Sequence, residues 1–585
     1  MLPFLPSLMP TPALYRVLRD RLAHMALFSE ISEAALKRIL VDASWFGLSG
    51  GAHLSSSAVM AGDALFVVLS GGLGVFAGRT SGSAELVAQI TPGEITATVV
   101  LEDQNIEFVA LRDTEILRIG PMGFEVLVVH RPKIVFDLMR GVVKRLARPP
   151  EAFGPRSNPK VFALVPFQDG LEEDGFVERL AAALRDLGAK VGLVDRAVMS
   201  QPSEWFAAFE ASHDFVLYRG DHPDSQWTQT CVRQADRVYL LARSDKSLPA
   251  IPLNAAKQAV CGPPELVLLH MTSICSVPEY FSRHQGCIAG HHHIRKLDAA
   301  DISRLARSMA GLAVGVVLSG GAARGFAHIG VLKALFEAKV PLDYFGGVSM
   351  GAIVAAGLAA GWSIEELTER MREAFVAHNP LSDFTLPMVA LVKGRKMTRL
   401  LTRHFGKVRI ENLQRPFFCV SADLTAGHVH EHRSGALWRA LRASAAIPGI
   451  IPPVIARGHL LVDGGVMNNL PVDIMAKTRL GTLIASDVTE ENEFAIRPDR
   501  AGQRTLWRGL WQRMRGMPSI FDILMRTGTM GSEAQRRLAR NEADILFEPP
   551  MPGLNPLDWK SFDRAIAQGY AHAADIIAKN GVPKT

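Results

Sequence analysis

Hydrophobic and polar positions change rhythm three times along this chain. Between residues 20 and 145, short β-rich runs such as "HLSSSAVM", "ALFVVLSGGLGVFAG", "ELVAQI" and "FVALRDTEILRI" are separated by turn residues. Helical spacing flanks them in "ISEAALKRIL" and "HRPKIVFDLMRGVVKRL". Short strands bracketed by helices predict a small antiparallel β-barrel over residues 1–147. A proline-rich stretch follows and reads as a linker, 148–159. From Lys160 strands and helices alternate: "KVFALVPF", "KVGLVD", "DFVLYRG", "RVYLLA" and "ELVLLH", with helices such as "FVERLAAALRDLG" between them. Such alternation predicts a parallel α/β domain over 160–304. The runs "AVGVVLSG", "YFGGVS", "FFCVSADL", "HLLVDGG", "TLIASDV" and "ADILFEP" predict a second α/β domain over 305–585, with its core at 313–475.

A length of 585 residues suits a multidomain plan, since one core serves roughly 150 residues. The chain is 48% hydrophobic and 21% charged, which is a folded rather than a disordered composition. Its formal charge of +6 suits an anionic membrane surface but falls short of a nucleic-acid footprint, so no nucleic acid is expected as a partner. Five scattered cysteines without C-x-x-C spacing point to a reducing compartment and away from a disulfide framework or a zinc site. The start "MLPFLPSLMPTPALYRVLRD" lacks the basic and apolar regions of a signal peptide. No window of about 20 residues is apolar enough to span a bilayer. The expectation is a cytoplasmic protein that meets lipid only peripherally.

The chemistry gathers in the last region. "YFGGVSMGAIVAAG" places Gly347-x-Ser349-x-Gly351 between a strand and a run of small helix formers. That spacing is the signature of a nucleophile elbow, which lifts a serine oxygen out of a tight turn. A serine hydroxyl needs a base, and "HLLVDGGVMNNLPV" offers Asp463 at a strand end, followed by Gly464 and Gly465. Upstream, "LSGGAARGFAHIGVLKAL" reads as strand, glycine-rich turn, helix, with Gly320, Gly321, Ala322, Arg324 and Gly325 in the turn. Outward-pointing N–H groups at a helix start can hold the oxyanion of acyl transfer, and Arg324 adds positive charge. A dinucleotide loop would need glycine at position 322.

Together these three motifs resemble the patatin-like phospholipases, and more closely the neuropathy target esterase branch. The family pattern is an oxyanion loop ending in Arg-Gly, then Gly-x-Ser-x-Gly, then Asp-Gly-Gly. The resemblance implies Ser349 as nucleophile, Asp463 as its base in a dyad without histidine, and Gly320, Gly321, Arg324 and Gly325 in the oxyanion loop. Ala322 departs from the family's third glycine, and the departure matters if that turn needs positive φ. "LWRALRASAAIPGIIPPV", "WTQTCVRQAD" and "ELVLLH" extend the likeness from about Lys160 onward. The implied activity is hydrolysis of acyl esters of phospholipids or lysophospholipids, with no cofactor and no metal.

Two alternatives stay open. One is an ordinary Ser349–Asp463–His572 triad, since His572 is the one histidine after Asp463. The other is a regulatory or scaffold protein with a weakened hydrolase domain. Asp423 in "SADLTAG" reads as a turn residue, His328 as packing, and His291-His292-His293 as no metal box. "QRTLWRGLWQRMRG" is a basic amphipathic segment suited to a membrane surface or to core packing. The N-terminal region resembles cyclic-nucleotide-binding domains, with "LFSEISEAALKRIL" as entry helix. Its phosphate pocket is degenerate: Ala97-Thr98 stands for a Gly-Glu pair and Gln104 for the arginine. Without that arginine no bidentate phosphate partner exists, so cyclic nucleotide binding is not expected.

Overall fold

The computed structural model describes residues 12–23, 25, 28, 31–54, 65–78, 84–90, 92–97, 106–132, 159–168, 175–246, 263–277, 288–386, 388–478, 481–489 and 533–581. These fall into two compact units. One comprises residues 1–271 and 278–306, the other 272–277 and 307–585.

The first unit opens with two antiparallel sheets. Strands Ser44–Leu48, Thr114–Ile119, Leu65–Ser70 and Ile95–Ala97 lie in that order in one. Ala84–Ile90, Leu73–Gly78 and Ile106–Ala110 form the other. Helices Pro12–Ala23, Glu33–Ile39 and Pro121–His130 bury Leu22, Ile39 and Leu127 against Leu65, Val67 and Leu117 of the larger sheet. Ser32 caps the second helix through its side-chain oxygen and the Ala35 N–H. Thr98, Gln104 and the segment 133–150 lie outside the described residues.

The same unit contains a six-stranded parallel sheet in the order Gly290–Arg295, Glu265–His270, Arg237–Arg243, Val161–Pro166, Phe215–Arg219, Val191–Val194. Its central strand is buried at every position, as expected where helices cover both faces. Five of these strands are the apolar runs noted in the sequence. The sixth, Gly290–Arg295, contains the triple histidine and has no apolar pattern to announce it. Its alternating faces set His292 apart from His291 and His293, whose rings meet edge-on with centroids 5.0 Å apart: His292 Nε2 lies 2.7 Å from the Glu265 carboxylate, and His293 Nδ1 lies 2.7 Å from His270 Nε2. Arg112, on the hairpin before Thr114–Ile119, ion-pairs with Glu210 at 2.6 Å and Asp236 at 2.7 Å, tying the first sheets to this one.

The second unit holds an eight-stranded sheet. Five parallel strands form its centre, in the order Phe417–Asp423, Tyr344–Gly347, Val314–Leu318, Thr482–Ser486, Ile545–Phe547. His428–His432 and His459–Asp463 both pair antiparallel with Phe417–Asp423, and Val454–Ala456 pairs antiparallel with His459–Asp463. Helices Ala327–Glu337 and Phe562–Asn580 cross almost backbone to backbone. A Cβ on Gly330 would lie 2.0 Å from the Ile566 carbonyl, and one on Gly569 would lie 2.1 Å from that of Ala327.

Register explains how the motifs meet. Gly347 stands level with Leu318 and with Cys419. Ser421, two residues beyond Cys419, is therefore level with Ser349, and Ser421 pairs with Asp463. The sequence places Asp463 at a strand end without giving that strand's direction; the strand runs antiparallel to Phe417–Asp423, so the carboxylate arrives from the opposite direction.

Candidate active site

The elbow follows from close packing. Ser349 has φ 53° and ψ −120°, a strained conformation for a non-glycine residue, between Tyr344–Gly347 and helix Met350–Ala359. The turn is tight enough that a Cβ on Gly347 would meet the Ala352 nitrogen at 2.8 Å. One on Gly351 would meet the Leu318 and Ser319 carbonyls at 2.4 Å. Both glycines are required by space. The Ser349 N–H donates to Ser444 Oγ at 3.0 Å, and that of Val348 to the Leu318 carbonyl at 3.1 Å.

Ser349 and Asp463 are both buried, each 7% exposed, and the serine hydroxyl is near enough to the carboxylate to favour its charged form. The other carboxylate contact is the Gly465 N–H, which donates to Oδ1 at 2.8 Å. Burial pushes the Asp463 pKa up to about 6, against the lowering effect of these two donors. Gly464 lets the chain pass: a Cβ there would sit 2.5 Å from the Val420 carbonyl.

The glycine-rich loop abuts the serine. A Cβ on Gly320 would lie 3.3 Å from Ser349 Cβ and 2.6 Å from Asn469 Oδ1, and one on Gly325 would strike Met350 at 2.5 Å. Ala322 has φ +49°, so the turn does adopt the left-handed conformation in which alanine is strained. The N–H groups of Gly321 and Ala322 have no partner among the described residues, whereas that of Ala323 donates to Pro556 O at 2.9 Å. Arg324 is buried, and its Nε donates to the Leu554 carbonyl at 2.9 Å. The guanidinium thus fastens the loop to the segment before the last helix.

Several residues joined to this centre were not singled out by motif. Asn469 Nδ2 donates to Gly320 O at 3.4 Å and Thr489 Oγ1 at 3.0 Å. It follows Asp-Gly-Gly by a few positions, a spacing that carries no chemical signal. Ser444 lies far away in sequence. His328 is fully buried between Ser486 Oγ and the Ser319 carbonyl, each 2.9 Å away. Burial lowers its pKa to about 4, so the ring is neutral. A carbonyl only accepts, so Nε2 carries the proton and Nδ1 accepts from Ser486. This imidazole ties the strand before the glycine-rich loop to its neighbour, Thr482–Ser486.

Other candidates lie elsewhere. His572 Nε2 accepts the Glu548 N–H at 3.1 Å, and no imidazole is among the groups that shift Asp463. Asp423 Oδ1 accepts from the Thr425 and Ala426 N–H groups at 2.9 and 3.2 Å, as a turn residue does, and His459 Nδ1 lies 2.6 Å from its other oxygen. The segment "QRTLWRGLWQRMRG" lies outside the described residues.

The class these features define is a hydrolase-type α/β domain built on a serine elbow. Residues 316–476 match the patatin-like phospholipase family, and residues 158–313 match the Neuropathy Target Esterase family P-loop like domain. The human patatin-like phospholipase domain-containing protein 6 is 29% identical over 591 residues, covering 88% of this chain and 43% of its own length. Neuropathy target esterase sws of Drosophila melanogaster is 28% identical, covering 87% and 41%. The chain thus spans less than half the length of these animal relatives. An uncharacterised family member from Mycobacterium bovis is 28% identical and matches 94% of this chain and 95% of its own. Among solved structures, VipD from Legionella pneumophila aligns over 46% of this chain and 67% of its own at 13% identity and TM-score 0.26. Thermus thermophilus catabolite activator protein aligns over 28% and 70% at 21% identity and TM-score 0.18.

The P-loop-like domain shows what its name leaves open. After strand Val161–Pro166 the chain has Gly170-x-x-x-x-Gly175, but Phe176 and Val177 stand where a phosphate-binding loop has lysine and serine or threonine. Both are buried. The residues between Gly170 and Gly175 include Glu172, Glu173 and Asp174, an acidic run in the sequence.

Proposed function

We propose that the protein is a serine esterase that hydrolyses acyl esters of phospholipids or lysophospholipids. The observation that carries this reading is the strained Ser349 beside the buried Asp463, whose charged form its hydroxyl favours. Ser349 Oγ attacks the ester carbonyl carbon while its proton passes to Asp463. An ordinary carboxylate, with a pKa near 4, is a weak base, and burial supplies about two further units of basicity. The N–H groups of Gly321 and Ala322 donate to the developing oxyanion, with Met350 N–H, at the helix start, as a third donor. Collapse breaks the bond to the alcohol oxygen, which takes the proton from Asp463. Water then attacks the acyl-serine and gives a proton to Asp463; collapse breaks the acyl–Oγ bond, Ser349 Oγ takes that proton back from Asp463, and the fatty acid leaves. The lipid identity of the substrate rests on the family match and on relatives such as Lysophospholipase NTE1 of Kluyveromyces lactis.

The test is hydrolysis of a short-chain chromogenic ester and of lysophosphatidylcholine by wild type, Ser349→Ala, Asp463→Asn and His572→Ala. The first two variants should lose at least a thousandfold in kcat, and the third should retain activity. Loss in a folded His572→Ala would replace the dyad with a triad. An inactive wild type would favour a scaffold role, for which the strained Ala322 would be the structural reason.

A further inference from the structure

The second unit carries a short hairpin whose apolar tip is uncovered among the described residues. Phe384 and Val392 form an antiparallel bridge, the Lys393 N–H donates to Asp383 O at 2.8 Å, and the Thr385 N–H donates to Leu391 O at 3.0 Å. The root is pinned by the Asp383 carboxylate, which accepts the Lys396 N–H at 3.1 Å. On this frame Phe384, Leu386, Met388 and Val389 are 72, 76, 82 and 69% exposed. One exposed leucine is ordinary, but four large apolar side chains within six positions mark an interaction surface.

Charge indicates what that surface meets. Lys393, Arg395 and Arg399 are exposed on the return strand and the first turns of helix Arg395–Phe405, and that helix has no acidic residue in its first turn. Cations at a helix N-terminus oppose the helix dipole, so they do not serve local stability. An apolar tip rimmed by cations complements a bilayer with anionic headgroups.

We propose that the hairpin Asp383–Lys393 docks the protein onto anionic phospholipid bilayers. Its apolar tip enters the headgroup–acyl boundary and its cations lie against lipid phosphates. The hairpin is also joined to the esterase centre. Leu391 and Val392 N–H groups donate to the Gly449 and Ile450 carbonyls at 2.9 and 3.0 Å, and Ala446 of the same segment accepts the Asp463 N–H at 2.9 Å. Docking here would bring a membrane to the segment flanking the carboxylate; this rests on the esterase reading above.

The experiment is flotation of the full chain with vesicles of phosphatidylcholine alone or mixed with phosphatidylserine, alongside hydrolysis of a water-soluble short-chain ester. Wild type should float preferentially with the anionic vesicles, less so at high salt. Combined Leu386→Ser, Met388→Ser and Val389→Ser should cut partitioning roughly tenfold or more. Lys393→Gln, Arg395→Gln and Arg399→Gln should each remove roughly fivefold of the preference for anionic vesicles. Short-ester hydrolysis should stay within about twofold in every variant. The proposal is overturned if wild type does not float, or if the serine variant floats as wild type does. A wild-type dimer that the serine variant dissociates, with flotation unchanged, would make the tip a protein–protein surface instead. An inactive wild type that still floats would sink the esterase reading while leaving the docking surface standing.

Discussion

Asp463 has a folded pKa of about 6, well above its unfolded value near 3.8, because burial disfavours its charge. Two consequences follow with opposite benefits. As the base we propose, Asp463 must be ionised, so kcat/KM for a soluble ester should fall about tenfold per pH unit below about 6 and level off above it; a pH–rate profile reads this directly. For stability, a raised carboxylate pKa means a contribution that is complete below the unfolded value and lost as pH rises through the folded one. Asp463→Asn should therefore be inactive yet more stable than wild type at pH 8, by up to about 3 kcal/mol, with the gain vanishing below pH ~4. Denaturant melts at the two pH values test it. Ala322 supplies a second residue-scale prediction. Its φ of +49° costs about 1 kcal/mol, which Ala322→Gly relieves while adding a similar unfolded-state entropy. Melting temperature should change little, and kcat should rise severalfold if relaxation lets the loop N–H groups align with the oxyanion.

Among the elements, the helix pair Ala327–Glu337 and Phe562–Asn580 is the most exacting contact. Alanine is normally the better helix former by about 1 kcal/mol, yet Gly330→Ala drives a Cβ into the Ile566 carbonyl. Crowding should reverse the sign and destabilise the second unit by about 2–3 kcal/mol, seen as a lower denaturant midpoint with the slope unchanged. Element type was legible wherever burial left a pattern. The strands Val161–Pro166 and Val314–Leu318 are unbroken apolar runs because both faces of their sheets are covered. Gly290–Arg295 escaped because its buried faces carry histidines satisfied by Glu265 and His270, and polar side chains leave no hydrophobic period to read. The direction of His459–Asp463 was equally hidden, since an alternating pattern is the same for a strand of either sense.

For the whole molecule, the sequence leads us to expect no nucleotide at the N-terminal sheets, where Gln104 stands for an arginine, nor at the P-loop-like domain, where Phe176 and Val177 replace lysine and serine or threonine. A ligand at a hundred times its Kd would add about 2.7 kcal/mol to stability. Neither cyclic AMP nor Mg-ATP at about 1 mM should shift the melting temperature, and a clear upward shift with cyclic AMP would show that residues beyond Gln104 rebuild the pocket. No described helix is long and apolar enough to cross a membrane.

Sequence alone determined the order of three architectures, the elbow serine, the Asp-Gly-Gly carboxylate and the glycine-rich loop. Each of these is a local demand: a turn too tight for a Cβ, or a strand buried on both faces, restricts the residues that can occupy it. Tertiary structure alone decided that Asp463 comes level with Ser349 on an antiparallel strand, and that Ala322 takes a positive φ. It also turned Arg324 to Leu554, and enclosed Asp463 so that its pKa rises. These depend on which distant segments share a neighbourhood, and on how little water remains there, which no local pattern encodes.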